Sequence, residues 1–449
     1  MSELDVAIVG GGFTGCAIAA NLARRANQAF SLAIFEPGSL GRGAAYGSAH
    51  REHLLNTRAA QMSINSAVSD DFVRWLGSRG GPHDFVSRRL YGDYVGDTVR
   101  KALERPRFAH VTERVAALRR QKERYILHTS SGKRFMARTV VLATGNPLPY
   151  DGFLPREVHG RGGYVADPWR FDYSAVSGEV LVVGSGLTAL DVLVALKACG
   201  HRGRVHVLSR HGRFPQVHAD AASYDVVPAL DSSSAQALLR SFRYHLQEAE
   251  RRGFDWRAVI DVIRPESEAI WRRVPVREQR RFERHLRTRW ERHRHRAPRE
   301  VDAVRDEYAR SGRLRVYAGQ LLRSVGDRIT IGTRDGHVHD LQPAWIVNCS
   351  GVGRIGSLAQ DPLIGTMLAG GAISPDARGM GLRVTPKLEA INAAGNAVAN
   401  LWIVGPTVRG SRFEATAVPE LRVMAESVAS QIAAAARTEQ PVLEVNGRR

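Results

Sequence analysis

The sequence predicts an α/β protein with two parallel-sheet domains, because one strand–turn–helix pattern occurs twice within its 449 residues. The first copy is an apolar strand and a glycine-rich turn over residues 5–15, and the second is the same arrangement over residues 180–189. Each turn leads into an apolar helix. Two further apolar runs, residues 140–145 and 345–351, stop at small residues, as buried parallel strands do at a sheet edge.

The two turns have the spacing that binds a dinucleotide. The first glycine of such a turn allows a tight bend, the second lets backbone N–H groups approach a pyrophosphate, and the third permits close packing of helix on strand. The phosphates then lie at a helix N-terminus. The residues predicted to hold the two dinucleotides are Gly10, Gly12, Phe13, Thr14 and Gly15 in the first turn and Gly184, Ser185, Gly186, Leu187 and Thr188 in the second.

The residues that end the following strands indicate which dinucleotide each turn holds. Glu36 ends the strand after the first turn, and an acid there accepts hydrogen bonds from a ribose diol, which suits FAD or NAD. After the second turn the strand ends on Ser209 and Arg210, and a hydroxyl beside a guanidinium suits the 2′-phosphate of NADPH. Arg210 can also be one more arginine of an arginine-rich chain, but its position favours the cofactor interpretation.

The chain is strongly basic, with 64 Lys and Arg residues against 45 Asp and Glu residues and a formal net charge of +19. Nearly all of this positive charge is arginine, a bias that is common in proteins from GC-rich genomes. The resulting field should attract anions, including NADPH and an anionic substrate.

Cysteine spacing and hydropathy exclude several classes of protein. Cys16, Cys199 and Cys349 are far apart and form no C-x-x-C pair, which argues against a bound metal, a disulfide framework and a disulfide reductase of the thioredoxin-reductase type. No apolar run reaches the length of a membrane span, and the N-terminus enters the first strand without a leader. We therefore expect a cytoplasmic protein that binds neither a metal nor a membrane.

The order of the elements predicts how the chain is divided. Residues 1–160 together with 341–449 are expected to form the first dinucleotide-binding domain, and residues 174–340 the second. The stretch from about residue 232 to 310 is rich in charged residues and nearly free of glycine, and its apolar residues recur at helical spacing. This pattern predicts a helical insertion in the second domain.

The most basic part of this insertion, residues 280–296, has two interpretations. Its arginines, with Phe282 and Trp290 between them, could form a nucleic-acid-binding helix. Alternatively, Phe282, Leu286 and Trp290 pack inwards while the arginines line a solvated or cofactor-facing surface. The second interpretation is simpler beside a nucleotide cleft, so we expect no nucleic-acid partner.

Five short motifs, spread over nearly the whole chain, are typical of a known family. They are residues 41–47, Leu54-Leu55-Asn56 with Met62, residues 208–212, Trp290 with residues 293–296, and Gly410 with residues 414–420. Together they resemble the flavoproteins with two dinucleotide folds that include a bacterial FAD-dependent urate hydroxylase and aspartate N-monooxygenases. The resemblance implies two Rossmann-like domains in a glutathione-reductase-like arrangement, with FAD and NADPH (or NADH) as cofactors and O₂ as co-substrate.

The resemblance also implies further cofactor contacts. The residues expected to contact the flavin are Asn56, Met62, Thr144, Gly145, Gly405 and Pro419. Pro419 suits the first turn of the last helix, and the N-terminus of that helix would stabilise an anionic flavin. The chain departs from the wider pattern at Gly405, where related folds place an aspartate on the ribityl chain. Gly405 can offer only its backbone there.

The implied reaction is that of a monooxygenase: NADPH reduces FAD, O₂ adds at flavin C4a, and the hydroperoxide delivers oxygen to a nucleophilic substrate atom. The expected substrate is urate, hydroxylated to 5-hydroxyisourate in purine metabolism, because this compact chain is more similar to the urate hydroxylase than to the longer aspartate N-monooxygenases. Two alternatives remain open. One is N-hydroxylation of an amino acid or amine, and the other is a non-oxygenating NAD(P)H:flavin oxidoreductase. Both a monomer and a homo-oligomer are compatible with the sequence.

Five residues are candidates for holding the small-molecule substrate. Arg383, Arg409 and Arg412 flank the late strand that returns to the flavin, and a bidentate guanidinium suits a planar anion. Asn56 and Gln61 could hold the flavin edge or the substrate. Each of the five can instead be an exposed charge or a satisfied turn residue. The sequence assigns no general base.

The purified protein is expected to be yellow with non-covalent FAD, and Glu36→Arg to lose most of it. The substitution removes the ribose acceptor and places a cation beside the adenosine. Flavin absorbance per mole of protein measures the effect, with Glu123→Arg as the matched charge change outside the predicted sites. A colourless wild-type protein that takes up no FAD would overturn the prediction.

Overall fold

The computed structural model describes residues 3–25, 30–47 and 50–438 and confirms the predicted α/β class. It contains two mixed sheets, each with a parallel centre, and a group of helices between the second sheet and the C-terminal part of the first. Within the described ranges, no helix is long and apolar enough to cross a membrane, and no three His, Cys, Asp or Glu side chains are grouped as metal ligands.

The strands are β1 (Glu3–Val9), β2 (Leu32–Phe35), β3 (Phe108–Val111), β4 (Val115–Gln121), β5 (Arg124–Thr129), β6 (Arg134–Leu142), β7 (Tyr164–Val165), β8 (Val180–Val183), β9 (Val205–Ser209), β10 (Leu314–Val325), β11 (Arg328–Thr333), β12 (Val338–Leu341), β13 (Trp345–Asn348), β14 (Glu389–Ile391) and β15 (Ala397–Ile403). The α-helices are α1 (Phe13–Arg25), α2 (Gly43–Tyr46), α3 (Asp71–Leu76), α4 (Arg88–Leu103), α5 (Arg156–His159), α6 (Leu187–Ala198), α7 (Ala235–Arg251), α8 (Trp256–Ile263), α9 (Ser267–Arg273), α10 (Val276–His285), α11 (Arg287–Arg294), α12 (Arg299–Arg310), α13 (Ile355–Leu358), α14 (Pro362–Ala369) and α15 (Val418–Thr438).

The first sheet has the strand order β14–β15–β6–β1–β2–β3, and the antiparallel strands β5 and β4 continue from β6. The five strands β15, β6, β1, β2 and β3 are parallel. The central strands are apolar along their buried lengths, as expected of parallel strands covered on both faces. Helix α1 packs on β1 and β2 and against α4 and α15. Cys16 of α1 is fully buried and its thiol donates to the Gly11 carbonyl.

The second sheet has the order β12–β11–β10–β9–β8–β13–β7. Strands β7, β13, β8, β9 and β10 are parallel, whereas β11 and β12 add an antiparallel edge. Because β13 pairs with β8, the chain returns to the first sheet only after Asn348. The division expected at residue 341 therefore falls one strand too early.

Residues 235–310 are helical, with α12 standing apart from the other helices. Helices α7 to α11 surround their own apolar cluster, whereas α12 packs on α6 in the second domain. The basic stretch 280–296 is two helices, with a break at Leu286. Phe282 is buried, and Leu286 and Trp290 pack partly buried against the same cluster, as the inward-packing interpretation expects.

A buried ion pair joins the two sheet domains. Arg88 of α4 lies 2.9 Å from the Asp191 carboxylate of α6, and the two side chains are 12% and 5% exposed. Arg88 also donates to the Leu54 carbonyl at 3.0 Å, and the His53 ring lies 3.0 Å from the Asp191 carbonyl. These contacts hold α6, which begins at the second glycine-rich turn, against the segment that leads to Asn56.

Asp191→Leu is expected to lower the free energy of unfolding by about 3–5 kcal/mol, because it leaves the Arg88 guanidinium buried without its carboxylate. Denaturant unfolding followed by circular dichroism measures the change. In the control Asp225→Leu, the exposed pair with Arg252 is broken at a cost below about 1 kcal/mol. Similar losses of unfolding free energy in both variants would show that the buried interdomain pair contributes no more to stability than the exposed pair.

Candidate cofactor and substrate site

The first glycine-rich turn has the backbone geometry that a dinucleotide site requires. Gly10 has φ +107°, and a Cβ there would lie 2.3 Å from the Ala143 carbonyl oxygen. A Cβ on Gly15 would lie 2.0 Å from the Gly10 carbonyl oxygen. At Gly12 the nearest atom to such a Cβ is 3.7 Å away. The outer glycines thus permit close packing, and the middle one leaves space before the helix N-terminus for a pyrophosphate.

Glu36 lies beside this space, as its predicted ribose role requires. Its Oε2 accepts from the Gly11 N–H at 2.9 Å and its Oε1 from the Gly38 N–H at 3.0 Å, which holds the carboxylate in place and leaves lone pairs for a ligand. A cavity of about 280 Å³ opens next to it, lined by Glu36, Gly38, Ser39, Arg42, Gly43, Gly47 and Arg170. The cavity and the fixed acceptor fit the adenosine end of a dinucleotide.

The second turn repeats this arrangement. Gly184 has φ +117°, and a Cβ there would lie 2.0 Å from the Cys349 carbonyl oxygen, while a Cβ on Gly186 would meet nothing within 4 Å. The Ser185 hydroxyl donates to the Ser209 Oγ at 2.8 Å. Ser209 therefore ends β9 and also holds the turn in place through this hydrogen bond. Leu187 and Thr188 lie half-buried in the first turn of α6.

Arginines collect at the carboxyl end of β9, where the 2′-phosphate was predicted. Arg210 is exposed and its Nη2 donates to the Thr288 hydroxyl of α11 at 3.3 Å. Burial, followed by the charges of Arg334, Arg210, Arg213 and Arg289, lowers the pKa of the neighbouring His211. This concentration of positive charge suits a phosphate dianion.

The other predicted flavin residues gather at the carboxyl edge of the first sheet. Thr144 and Gly145 follow β6, and Gly405 follows the adjacent parallel strand β15. Gly405 has φ +102°, and a Cβ there would lie 3.2 Å from the Oγ1 of Thr14 in α1. Parallel pairing thus brings three distant chain segments to one place, next to the first turn.

Two buried polar atoms at this edge have no hydrogen-bond partner among the described residues, namely Asn146 Oδ1 and Thr407 Oγ1. Asn146 directly follows Gly145, and Thr407 lies two residues after Gly405. The ribityl hydroxyls of a flavin can donate to the first atom and accept from the second. Pro419 lies in the first turn of α15, and Met62 is 2% exposed. Phe13 is buried and stacks on Tyr91 at 6.2 Å. The residues present at this edge fit FAD.

The three arginines predicted to hold the substrate have other surroundings. Arg409 donates from Nε to the Met380 carbonyl at 3.0 Å and from Nη2 to the carbonyls of Val352 and Gly353 at 3.1 and 2.5 Å. Burial lowers its pKa to about 10. Arg409 therefore ties together the segments that connect the two domains, and three of its five N–H donors point to these carbonyls.

Arg412 and Arg383 have different surroundings from each other. Arg412 pairs with the Glu268 carboxylate at 3.1 Å and donates to the Pro386 carbonyl, so its charge is already compensated. Arg383 is exposed, and its backbone joins the loops beside Ser374 and Ile391. The Arg412 guanidinium is thus engaged within the chain, whereas the Arg383 side chain stays a candidate on the surface. The prediction used only their distance along the chain from β15, which carries no information on the Glu268 partner of Arg412.

A network of charged side chains lies where the helical cluster meets the N-terminus of α15. Gln61 Oε1 accepts from Arg264 at 3.3 Å, and Arg264 forms a two-point pair with Glu420 at 2.8 and 3.0 Å. Arg294 of α11 lies 3.3 Å from Glu414. Gln61 was predicted for this site, whereas the arginines and glutamates were not assigned roles. The occurrence of Arg294, Glu414 and Glu420 in the family motifs 293–296 and 414–420 could have pointed to them, whereas no sequence signal pointed to Arg264.

Asn56 is positioned by a histidine from the second domain. The His218 ring lies 3.0 Å from the Asn56 carbonyl oxygen and packs on Phe85 at a centroid distance of 4.7 Å. Burial, followed by the charge of Arg296, lowers the His218 pKa from 6.5 to about 4. The ring is therefore neutral at pH 7 and can donate one hydrogen bond to Asn56.

The lowered His218 pKa predicts a pH-dependent stability. In the unfolded chain His218 binds a proton near pH 6.5, whereas in the folded chain it does so only near pH 4. Its contribution to the free energy of unfolding is therefore complete above pH 6.5 and is lost as the pH drops to 4, by up to about 3 kcal/mol. His218→Gln keeps a donor without the titration and should flatten this part of the profile. Denaturant unfolding at several pH values tests it. Parallel profiles for the two proteins would contradict the assignment.

Two family models match the chain. Residues 7–147 match an FAD-NAD(P)-binding model, and residues 82–247 match a model of L-lysine 6-monooxygenase/L-ornithine 5-monooxygenase. No curated protein matches in sequence.

Solved structures share the fold over nearly the full length at low identity. An ornithine N-hydroxylase from Kutzneria sp. 744 is 19% identical with TM-score 0.61, covering 98% of this chain and 100% of that one. An ornithine hydroxylase from Pseudomonas aeruginosa is 14% identical with TM-score 0.62, covering 96% and 99%. A bacillithiol disulfide reductase from Bacillus cereus is 14% identical with TM-score 0.57, covering 97% and 100%. These structures confirm the expected fold. Together with the two family models they confirm the cofactor class, and the chain is a flavin-dependent NAD(P)H oxidoreductase with the two-domain FAD/NAD(P)-binding flavoprotein fold.

Proposed function

We propose that the chain is an NADPH- and FAD-dependent N-hydroxylating monooxygenase that acts on an amine or amino acid. The observation that carries this proposal is the match of residues 82–247 to the lysine/ornithine monooxygenase model. That range includes the whole second glycine-rich turn and the arginine-rich end of β9. The two ornithine hydroxylases that share the fold over nearly their whole length support the same reaction class.

The expectation of urate as substrate has less support. It depended on the resemblance and on the compact length of the chain. Two of the arginines expected to hold urate, Arg409 and Arg412, are engaged by backbone carbonyls and by Glu268. Neither matching family model describes a urate hydroxylase. Urate therefore enters the substrate test as the competing compound.

The helical cluster would exclude water from the reaction site. Three of its side chains make charged contacts with α15 and the loops beside it: Arg264 with Glu420, Glu268 with Arg412, and Glu283 with Arg378. These contacts hold α8 to α10 against the carboxyl edge of the first sheet. A bound flavin supplies the electron transfer and oxygen chemistry that no side chain provides. Enclosure limits unproductive loss of oxidising equivalents to solvent.

N-hydroxylation also requires that the reacting amine lose its proton. His295 lies in the charged network, and burial lowers its pKa, with the positive charge of Arg294 acting in the same direction against the Glu414 carboxylate. The ring is therefore neutral near pH 7. A neutral imidazole beside the site can accept a hydrogen bond from the amine of a bound substrate.

Arg210→Ala is expected to raise the KM for NADPH about ten- to a hundredfold and to change the KM for NADH much less. The reason is the loss of one charge-assisted contact with the 2′-phosphate, which contributes about 1.5–3 kcal/mol. Steady-state oxidation of each nucleotide measures the ratio. Equal effects on the two nucleotides, or a wild-type preference for NADH, would refute the phosphate role.

The substrate class is tested by NADPH oxidation with ornithine, lysine, aspartate, diamines and urate, while peroxide and hydroxylamine are measured. We expect an amine or amino acid to accelerate oxidation with hydroxylamine formed in step and little peroxide. Acceleration by urate with little peroxide would instead restore the urate hydroxylase prediction. Peroxide in step with NADPH loss for every compound would indicate a non-oxygenating oxidoreductase.

A further inference from the structure

Arg294 and Glu414 are a buried charge pair whose hydrogen bonds are incomplete. Their side chains are 9% and 6% exposed. Arg294 Nη2 lies 3.3 Å from Glu414 Oε2, but Nε and Nη2 of Arg294 and Oε2 of Glu414 make no hydrogen bond among the described residues. The other carboxylate oxygen of Glu414 accepts from the Trp290 indole at 3.3 Å.

The neighbouring pair shows how a purely structural contact in the same network is arranged. Arg264 and Glu420 form two hydrogen bonds at 2.8 and 3.0 Å. A charged group buried without its hydrogen bonds costs several kcal/mol, so unsatisfied groups of this kind indicate a missing ligand, water or ion. Arg294 therefore lacks acceptors for the hydrogens of two nitrogens, and Glu414 lacks a donor for one carboxylate oxygen.

The pair is close to a route from solvent. Glu420 lies 3.9 Å from Arg294 and is 22% exposed, and Gln61 and Thr416 at the border of the network are exposed. A small ligand can therefore approach from this side, close to the N-terminus of α15.

We propose that Arg294 and Glu414 form a head-group subsite for a substrate that carries an ammonium group and a carboxylate on neighbouring atoms, as an α-amino acid does. Arg294 donates its Nε and Nη2 hydrogens to the substrate carboxylate, and Glu414 Oε2 accepts from the ammonium group. The pair selects amino acids over simple amines. The reaction itself rests on the proposed function, whereas the subsite rests on the unsatisfied atoms.

The test compares ligand binding to the FAD-loaded full chain for Arg294→Gln, Glu414→Gln and the control Arg284→Gln. Arg284 is exposed and lies on the same helical cluster, so its variant makes the same charge change away from the pair. Ligand-induced changes in the flavin spectrum give Kd for ornithine and lysine and for their decarboxylated counterparts putrescine and cadaverine. Arg294→Lys, which keeps the charge but loses the planar fork, serves as a second variant if Arg294→Gln does not fold.

We expect the wild type to bind the amino acids at least about tenfold more tightly than the diamines. Arg294→Gln should raise the Kd of the amino acids about ten- to a hundredfold, from the loss of a charge-assisted contact, and that of the diamines less than about threefold. Glu414→Gln should weaken both kinds of ligand, and Arg284→Gln neither. FAD content should not change.

Three results would overturn the proposal: unchanged amino-acid binding in both variants, loss of FAD with no change in ligand Kd, and binding of urate but of no amino acid. The last result would refute the proposed function as well. Arg294-dependent amino-acid binding without hydroxylamine formation would leave the subsite intact and refute only the N-hydroxylase reaction.

Discussion

The architecture depends on two places where the backbone of a glycine-rich turn touches the end of a neighbouring strand. Gly10 meets the Ala143 carbonyl after β6, and Gly184 meets the Cys349 carbonyl after β13. A Cβ at either glycine would collide with those oxygens, and both have positive φ. The close contacts place the N-termini of α1 and α6 at the carboxyl edges of their sheets. Both dinucleotide sites follow from that placement.

Charge compensation explains how so basic a chain packs its helical cluster. The most basic stretch includes arginines that contact acceptor groups within the chain. Arg296 pairs with Asp261, Arg287 with Glu291, and Arg292 donates to the Phe214 carbonyl. Such contacts reduce the cost of burying arginine, because each charge keeps hydrogen bonds when it leaves water. Four arginines, Arg210, Arg213, Arg289 and Arg334, lie around His211 at the end of β9, where an anionic cofactor would bind.

Helix α11 is the physical connection between the two parts of the site. Thr288 near its start contacts Arg210 at the end of β9, and Trp290 and Arg294 contact Glu414 before α15. Arg210 belongs to the second domain, whereas Glu414 follows the last strand of the first sheet. A displacement of this short helix would therefore alter the nicotinamide-nucleotide side and the α15 side together.

The sequence by itself determined the features that arise from local pattern. Strand–turn–helix periodicity located both dinucleotide turns, and the positions of Glu36 and Arg210 followed from the length of one helix and one strand. The spacing of apolar residues, such as Leu238 and Phe242, predicted the helical cluster. These inferences need only a few consecutive residues, because backbone geometry and helical periodicity act at short range.

Only the tertiary structure decided which charged groups are already engaged. The sequence makes Arg409 a reasonable anion ligand, but in the structure three carbonyls from distant segments accept hydrogens from its guanidinium. Arg294 and Glu414 are 120 residues apart and meet because the helical cluster folds over α15. In the same way, β13 belongs to the second sheet because it pairs with β8. A guanidinium or carboxylate has the same sequence signal whether it faces solvent, a partner or an open site. Its role is set by long-range packing, which one-dimensional patterns do not encode.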